Sequence, residues 1–253
     1  MSPGPKAAVI LAAGMGTRLQ GAFSDRPKGF IEIGGESLIV RSLRLLRERG
    51  VVRSVVVSGH LGTAYEDLAR STPGVEVVEN PAFATTGSMA SLACALERID
   101  EDFLLLESDL FYEERALDAL LEGDAPDVLL ASGPTGATDE VWIEGQDGFL
   151  HAMSKDPGEL GQVYGELVGI VRVSLPLARC MADAYARFVA AHGHGQMAYE
   201  TDALVEAATR HPVALRLVPD LLWGEVDYES HYRRVRDEVW PRWADRQPAS
   251  AAD

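Results

Sequence analysis

The stretch Val9–Leu19 reads VILAAGMGTRL and joins the end of an apolar run to a loop with two glycines. The run Ala7–Leu11 is short and continuous, as in a strand buried on both faces of a parallel sheet. Gly14 and Gly16 allow backbone N–H groups to approach an anion closely. The stretch therefore predicts a strand followed by an anion-binding loop at the carboxyl edge of a sheet.

Apolar runs alternate with helical patterns through the first half of the chain. The predicted strands are Ala7–Leu11, Ser54–Ser58, Val75–Glu79, Asp102–Ser108 and Asp127–Ala131. The predicted helices lie near Ser37–Arg49, Thr63–Ser71, Ser88–Ile99 and Tyr112–Leu121. This alternation predicts an α/β fold of the Rossmann-like type, with a mostly parallel mixed sheet and helices on both faces.

The pattern changes after Ala131. The segment VWIEGQDGFLHAMS, with its Asp147–Gly148 turn, predicts a hairpin that forms a small insertion or lid. Further elements are predicted at Leu167–Ser174, Leu175–Ala191, Glu200–Thr209, Val213–Val218 and Tyr228–Trp240. We therefore expect one domain over residues 1–245 and a frayed tail over residues 246–253.

The charge is distributed unevenly along the chain. The net charge of −16 argues against nucleic acid as a partner. Residues 1–60 nevertheless carry nine Lys/Arg against four Asp/Glu, whereas the rest of the chain carries 14 against 35. The positive part contains the glycine loop, which favours a small anionic ligand there.

Cysteine content and hydropathy give an expectation for the location. Two cysteines, Cys94 and Cys180, cannot build a disulfide framework, which is typical of the reducing cytoplasm. The apolar run Ala7–Ala13 lacks the flanking features of a signal peptide. No apolar run approaches the length of about 18 residues that a membrane span needs. We expect a cytoplasmic protein with no membrane partner.

The glycine loop differs from two common phosphate-binding motifs. Leu19 occupies the third glycine position of G-x-G-x-x-G, and the P-loop pattern G-x-x-x-x-G-K-[ST] is not matched. The loop leads into Arg18 and then Lys28, one of three lysines in a chain with twenty arginines. Arginine binds phosphate through two donors and lysine through a compact charge, so both suit an anion at this loop.

The motif LAAGMGTRL followed by Pro27-Lys28 resembles the MobA-like and sugar-phosphate nucleotidyltransferases, which join an NTP to a phosphorylated acceptor and release pyrophosphate. The resemblance implies that Arg18 and Lys28 are catalytic, with Arg18 at the triphosphate and Lys28 at the α-phosphate. It also implies nucleotide contacts from Leu11, Ala12, Ala13, Gly14, Met15, Gly16 and Thr17.

Three carboxylates are candidates for a Mg²⁺ site. Asp109 follows the apolar strand LLLES, and the family has a Mg²⁺-binding aspartate at this place. Glu225 and Asp227 lie two residues apart in WGEVDYE, so in an extended segment both side chains point the same way. Mg²⁺ prefers hard oxygen ligands and combines one or two carboxylates with phosphates and water. We expect Asp109 and Asp227 to bind Mg²⁺, with Glu225 nearby.

In the family, the nucleotide base is contacted by residues that follow the second strand and by residues that precede the strand leading to the metal-binding aspartate. The resemblance therefore implies that Gly59, Thr86, Gly87 and Ser88 contact the base or ribose. Ser88 also suits the N-cap of the helix that begins there.

The second half resembles the cytidylyltransferases that act on phosphocholine and on phosphonates such as 2-aminoethylphosphonate. In that branch Lys155 would meet the acceptor's phosphate or phosphonate. The remaining candidates for the acceptor pocket are Trp142, Tyr199, Glu200 and Trp223. The resemblance thus divides the domain into an NTP-binding half, residues 1–131, and an acceptor-binding half, residues 132–245.

The resulting hypothesis is an enzyme that transfers CMP from CTP to a small phosphonate or phosphomonoester, with Mg²⁺ as cofactor. 2-Aminoethylphosphonate, phosphonoformate and phosphocholine are all open as acceptors. One alternative is a sugar-1-phosphate nucleotidyltransferase that uses UTP or another NTP, and a remote one is a non-catalytic nucleotide sensor. The oligomeric state is also open, and a homodimer through the C-terminal part is one arrangement.

Overall fold

A nine-stranded mixed sheet forms the centre of the protein, seen here in a computed structural model. The structure describes residues 4–16, 18–19, 23, 25–197 and 200–247. The strands are β1 Ala7–Ala12, β2 Glu32–Ile33, β3 Glu36–Ser37, β4 Arg53–Ser58, β5 Val75–Glu79, β6 Phe103–Glu107, β7 Leu110–Tyr112, β8 Val128–Ser132, β9 Trp142–Gln146, β10 Phe149–Ser154, β11 Val163–Val173, β12 Ala214–Val218 and β13 Trp223–Glu225.

The central sheet has the order β5-β4-β1-β6-β11-β8-β12-β10-β9. Strand β1 runs parallel to β4 and β6, and β8 runs parallel to β12. Strand β11 runs antiparallel to β6 and β8, and β10 runs antiparallel to β9 and β12. All other strands of the sheet share one direction, which confirms the predicted mostly parallel mixed sheet. Their carboxyl ends meet at one edge, where such sheets bind ligands.

Helices cover both faces of this sheet, as the alternating pattern predicts. They are α1 Leu38–Glu48, α2 Thr63–Ser71, α3 Ser88–Leu96, α4 Arg115–Leu121, α5 Leu175–His192, α6 Glu200–Ala208, α7 Glu229–Arg234 and α8 Trp240–Arg246, with a π-helical turn between the last two. Alternate residues of β1 enter opposite cores: Val9 packs in the core beneath α3, α5 and α6, and Ile10 packs in the core beneath α1 and α4. No helix in the described ranges is long and apolar enough to cross a bilayer.

A third, smaller core holds the ribbon formed by β7 and β13. This core contains Phe111 of β7 and Val226 just after β13, and the C-terminal helices cover it. The buried guanidinium of Arg41 lies 4.7 Å from the Phe111 ring and 4.2 Å from the Trp243 ring, and it donates to the carbonyl of Tyr112. The ribbon is therefore fixed by both α1 and α8.

Two features of the second half of the chain differ from the sequence predictions. The hairpin β9–β10 joins the edge of the central sheet, because β10 pairs with β12 at Phe149 and Ala214. The predicted frayed tail is wrong at its first residue, because Arg246 belongs to α8 and its guanidinium lies 3.2 Å from the buried carboxylate of Glu113. Residues 248–253 lie outside the described part of the chain.

The junction between β8 and the second half of the chain depends on a buried aspartate. Asp127, which is 1% exposed, accepts hydrogen bonds from the backbone N–H and hydroxyl of Ser174, the N-cap residue of α5. It also lies 2.7 Å from the ring of His211 before β12. One carboxylate thus connects three elements.

We expect Asp127→Ala to lower the free energy of unfolding by about 2–4 kcal/mol, because it leaves buried donors of Ser174 without an acceptor. Urea denaturation of the purified variant measures this loss. The matched control is Asp124→Ala, which removes a nearby exposed carboxylate and is expected to cost little. Equal effects of the two substitutions would contradict the connecting role of Asp127.

Candidate active site

A cavity of about 770 Å³ opens at the carboxyl ends of β1 and β6. The loop after β1 forms one wall, and the N-terminus of α3 forms the adjacent one. Strands β10, β11 and β13, with helices α6 and α7, complete the lining. This position is where the sequence predicts ligand binding.

The glycine loop follows β1 directly. Leu11, Ala12, Ala13, Gly14, Met15, Gly16 and Arg18 all line the cavity, and Thr17 lies outside the described residues. Gly16 has a φ of 61°, a backbone conformation that residues with a side chain rarely adopt. Its backbone passes close to Lys28, because a Cβ added at Gly16 would lie 3.6 Å from Lys28 Cγ. The structure therefore brings the loop and the lysine together, as the sequence predicts.

Lys28 bridges two carboxylates at the base of the cavity. Its ammonium lies 2.9 Å from Asp109 Oδ2, which follows β6, and it also contacts Asp227 Oδ1, which follows β13. Arg18 Nη1 donates to the other oxygen of Asp227 at 2.9 Å. The two cations expected at phosphate are thus in contact with two of the acids expected at the metal.

The electrostatics of this cluster favour ionised groups. Burial lowers the pKa of Lys28, but the charges and hydrogen bonds of Asp109 and Asp227 outweigh burial and raise that pKa above its ordinary value. Burial raises the pKa of Asp227, but the charge and hydrogen bond of Lys28, together with the charges of Arg18 and His231, outweigh burial and lower that pKa. Both groups therefore carry their charge at neutral pH.

Glu107, Asp109 and Glu225 have carboxylate oxygens within 4.8 Å of one another. Asp109 and Glu225 of this cluster are among the three acids that the sequence predicts at a metal site, and the third, Asp227, is paired with Lys28 and Arg18. Burial and the charges of Asp109 and Asp227 raise the pKa of Glu225 well above its ordinary value. Crowded carboxylates of this kind could hold a divalent cation with hard oxygen ligands.

No role is assigned to Glu107 from the sequence, although the spacing of Glu107 and Asp109 points to one. Glu107 lies two residues before Asp109, the same spacing that pointed to Glu225 and Asp227. Alternate residues of an extended segment share a side, so this rule applies to both pairs.

The residues expected at the base lie beside the glycine loop. Thr86, Gly87 and Ser88 line the cavity, and the N-cap of α3 is Gly87, so Ser88 is the first helical residue and does not fill the predicted capping position. Gly59 is not among the described residues that line the cavity. A Cβ at Gly59 would lie 2.7 Å from both Ala13 O and the side chain of Phe83, so this glycine allows the two segments to approach.

The predicted acceptor residues are only partly brought together. Lys155 and Trp223 line the cavity, and the Trp223 indole donates to Ser132 Oγ at 2.8 Å. Trp142 lies on β9 and is not among the described lining residues, although its pairing partners Ser154 and Glu166 are, so its place in the pocket stays a prediction. Tyr199 and the side chain of Glu200 lie outside the described part.

The charged or ionisable residues of the cavity lining that the sequence analysis does not single out include Asp139, Glu140, Glu166, His231 and Arg234. One signal was available, because Glu166 is the one acid in the mostly apolar strand β11. The others lie in a loop and on a polar helix, where charged residues are ordinary and carry no pattern.

Glu166 is the most unusual of these groups because it is 2% exposed. Its carboxylate accepts hydrogen bonds from Thr135, at 2.6 Å from the backbone nitrogen and 2.8 Å from the hydroxyl. Burial raises the pKa of Glu166 to about 7, although the hydrogen bonds from Thr135 oppose this rise. The group therefore titrates near neutral pH.

The titration of Glu166 predicts a pH-dependent stability. Because the folded state binds this proton more tightly, the contribution of Glu166 to stability is present below the ordinary value of 4.5 and is lost as the pH rises through about 7. The stability of Glu166→Gln relative to the wild type should therefore rise by about 2 kcal/mol between about pH 5 and about pH 8, allowing for solvent screening. Urea denaturation at both pH values measures this difference, and parallel stability curves would contradict it.

The comparisons with known proteins agree with this fold and cavity. An α/β sheet with a glycine loop, a lysine and clustered acids at its carboxyl edge is typical of nucleotide-binding transferases. Residues 8–216 match the MobA-like NTP transferase domain, and the chain belongs to this family of nucleotidyltransferases. The predicted family resemblance is therefore confirmed.

Two relatives are named as phosphonate-modifying enzymes. The CMP-5'-(3-aminopropyl)phosphonate synthase of Streptomyces rubellomurinus is 31% identical over 244 residues, which are 91% of this chain and 38% of the relative. The chain thus spans less than half the length of that protein. The 2-aminoethylphosphonate cytidylyltransferase of Lancefieldella rimae is 28% identical over 204 residues, which are 76% of this chain and 77% of the relative.

A solved structure shares the fold at low sequence identity. The CTP:phosphocholine cytidylyltransferase of Streptococcus pneumoniae has a TM-score of 0.75 and is 19% identical, over 91% of this chain and 97% of that chain. Both branches of the predicted resemblance, phosphonate and phosphocholine cytidylyltransferases, are thus represented among similar proteins.

Proposed function

We propose that the chain transfers CMP from CTP to a small phosphonate or phosphomonoester and releases pyrophosphate, with Mg²⁺ as cofactor. The observation that carries the proposal is the position of Lys28, which lies against the glycine loop on one side and contacts Asp109 and Asp227 on the other. The cationic side chain suits the phosphates of a nucleotide, and the carboxylates suit the divalent cation that accompanies them. The names of the two phosphonate relatives support CTP as the nucleotide.

The nucleotide half of the proposal covers residues 1–131. The loop backbone and Arg18 would bind the triphosphate, and Lys28 would neutralise charge at the α-phosphate. Thr86, Gly87 and Ser88 line the same cavity as this loop and would contact the base or ribose. Gly59 would act indirectly by allowing Phe83 to pack near the loop.

The donor set fits a divalent cation. Glu107, Asp109 and Glu225 offer hard oxygen atoms within 4.8 Å, and a cation would relieve the repulsion that raises the pKa of Glu225. Asp227 lies next to this group and would join it if Lys28 turned towards phosphate. When bound, Mg²⁺ supplies positive charge to the phosphate oxygens of the nucleotide.

The proposed reaction needs little proton transfer from the protein. An acceptor oxygen attacks the α-phosphorus of CTP, and the bond to the bridging oxygen of the β-phosphate breaks, so that pyrophosphate leaves. The acceptor oxygen is already ionised near neutral pH, because the second pKa of a phosphate is about 6. The chain's own contribution is then to hold both substrates in line and to neutralise charge with Arg18 and Lys28.

The acceptor half of the proposal covers residues 132–245. Lys155 and Trp223 lie in the same cavity as the glycine loop, so an acceptor beside them would reach the nucleotide. The proposal includes a cytoplasmic location, because CTP is a cytoplasmic metabolite.

Pyrophosphate release tests this function. We expect release with CTP and Mg²⁺ in the presence of a small phosphonate or phosphomonoester, and loss of release after chelation of the metal. The assay compares four NTPs and includes phosphocholine, phosphonoformate, aminoalkylphosphonates and sugar 1-phosphates. Release only with a sugar 1-phosphate and UTP would support the sugar-phosphate alternative. CTP binding without release from any acceptor would support a nucleotide sensor and contradict the proposal.

Replacement of Lys28 tests its assigned role. Lys28→Ala is expected to lower kcat by roughly 100- to 1,000-fold, because the variant loses positive charge at the α-phosphate. Steady-state kinetics with saturating CTP and acceptor measures the loss, and circular dichroism checks the fold. The control is Lys6→Ala, which removes an exposed lysine outside the cavity. Turnover close to that of the control would remove Lys28 from the mechanism.

A further inference from the structure

The wall of the cavity formed by β11 and the segment that connects β8 to β9 is acidic. Glu166 lies on β11 opposite Ser132 at the end of β8. Asp139 and Glu140 belong to the segment that connects β8 to β9, and all three carboxylates line the cavity. This acidic wall has no part in binding a triphosphate, which is itself an anion.

Glu166 keeps unused hydrogen-bonding capacity. Among the described residues, its donors are the backbone N–H and the hydroxyl of Thr135, one to each oxygen. A carboxylate has about four lone-pair positions, so each oxygen can accept another hydrogen bond. A buried carboxylate with open acceptor positions on a cavity suits a ligand that brings donors and positive charge.

The neighbouring cation does not neutralise this wall. Arg234 is attracted by Glu166, Asp139 and Glu140 of this wall and also by Glu238, so one guanidinium is shared among four carboxylates. The pKa of Glu166 is raised, whereas a dominant Arg234 would lower it. The excess of negative charge therefore favours a cationic group over the carboxylate of an anionic acceptor tail.

The spacing along β11 suits a small acceptor. Gly169 approaches the carboxylate cluster, because a Cβ there would lie 3.5 Å from Glu107 Oε2. Glu166 precedes Gly169 by three residues in a stretch of β11 that contains a bulge, so their backbones are at most roughly 10 Å apart. An acceptor with its phosphorus beside the nucleotide would need a short chain between the phosphorus and the group that meets Glu166.

We propose that Glu166, supported by Asp139 and Glu140, binds a protonated primary amine at the end of the acceptor opposite its phosphonate or phosphate. The inference rests on the proposed cytidylyl transfer and narrows its acceptor to a short aminoalkyl phosphonate or phosphate. The amine donates hydrogen bonds to the open positions of Glu166. A quaternary ammonium has no N–H to donate, so phosphocholine is a poorer acceptor.

The test compares acceptors that differ at this end alone. The wild type is assayed with 2-aminoethylphosphonate and 3-aminopropylphosphonate, with propylphosphonate and butylphosphonate as isosteres that lack the charge, and with phosphocholine. We expect kcat/KM to favour the primary amines by about a hundredfold or more. Glu166→Gln is expected to lower kcat/KM for the amines by roughly 10- to 100-fold, mainly through KM, and to leave the alkyl isosteres and the KM for CTP unchanged.

Two further variants keep the test independent of the folding of Glu166→Gln. Glu140→Gln removes a half-buried charge from the same wall, and a smaller loss confined to the amine acceptors is expected. Glu122→Gln removes an exposed charge outside the cavity and is expected to change nothing.

The outcomes separate this inference from the proposed function. Equal losses on amine and alkyl acceptors, in either wall variant, would overturn the specificity role. Alkylphosphonates or phosphocholine used as well as primary amines by the wild type would also overturn it, while cytidylyl transfer itself would stand. Absence of pyrophosphate release with CTP and every acceptor would contradict the proposed function, and the inference would fall with it.

Discussion

The bridge from Lys28 to Asp109 and Asp227 is the interaction on which the candidate site depends. The lysine is 81 residues from one carboxylate and 199 from the other, so three distant segments meet at one ammonium. Charges this far from water are stable only when they are paired, and loss of one partner would leave the others uncompensated. The pairing therefore requires the carboxyl ends of β6 and β13 to lie beside the loop after β1.

The rest of the fold can be understood as support for that meeting point. Two large cores fix β1 and β6 side by side, because alternate residues of each strand pack on opposite faces. Asp227 is not on the central sheet, and its position depends on the ribbon of β7 and β13 above the third core. Arg41, between two aromatic rings, connects that ribbon to helices on both sides. The ribbon that carries Glu225 is thus held in place by α1 and α8, which contribute no carboxylate to the cluster.

The two ends of the cavity differ in their balance of charge. At the glycine loop, cations and acids lie in contact and keep each other ionised, as the shifted pKa values of Lys28 and Asp227 indicate. At the acidic wall, Glu166 is buried without a dominant cation, and burial raises its pKa to about 7. A charge-balanced end suits a substrate that brings both a metal and phosphates, whereas an acid-rich end suits one that brings positive charge.

The order of the residues was enough to predict the α/β class, the central strands and the glycine loop, and to name Arg18, Lys28, Asp109 and Glu225, which line one cavity. These features are local, because strand periodicity, turn chemistry and the spacing of two acids are read over a few residues. The folded arrangement was needed to show that Glu107 joins the acidic cluster and that Glu166 lines the same cavity. Those outcomes depend on the order of the strands and on the antiparallel direction of β11. No pattern along one segment specifies which distant segment will lie beside it.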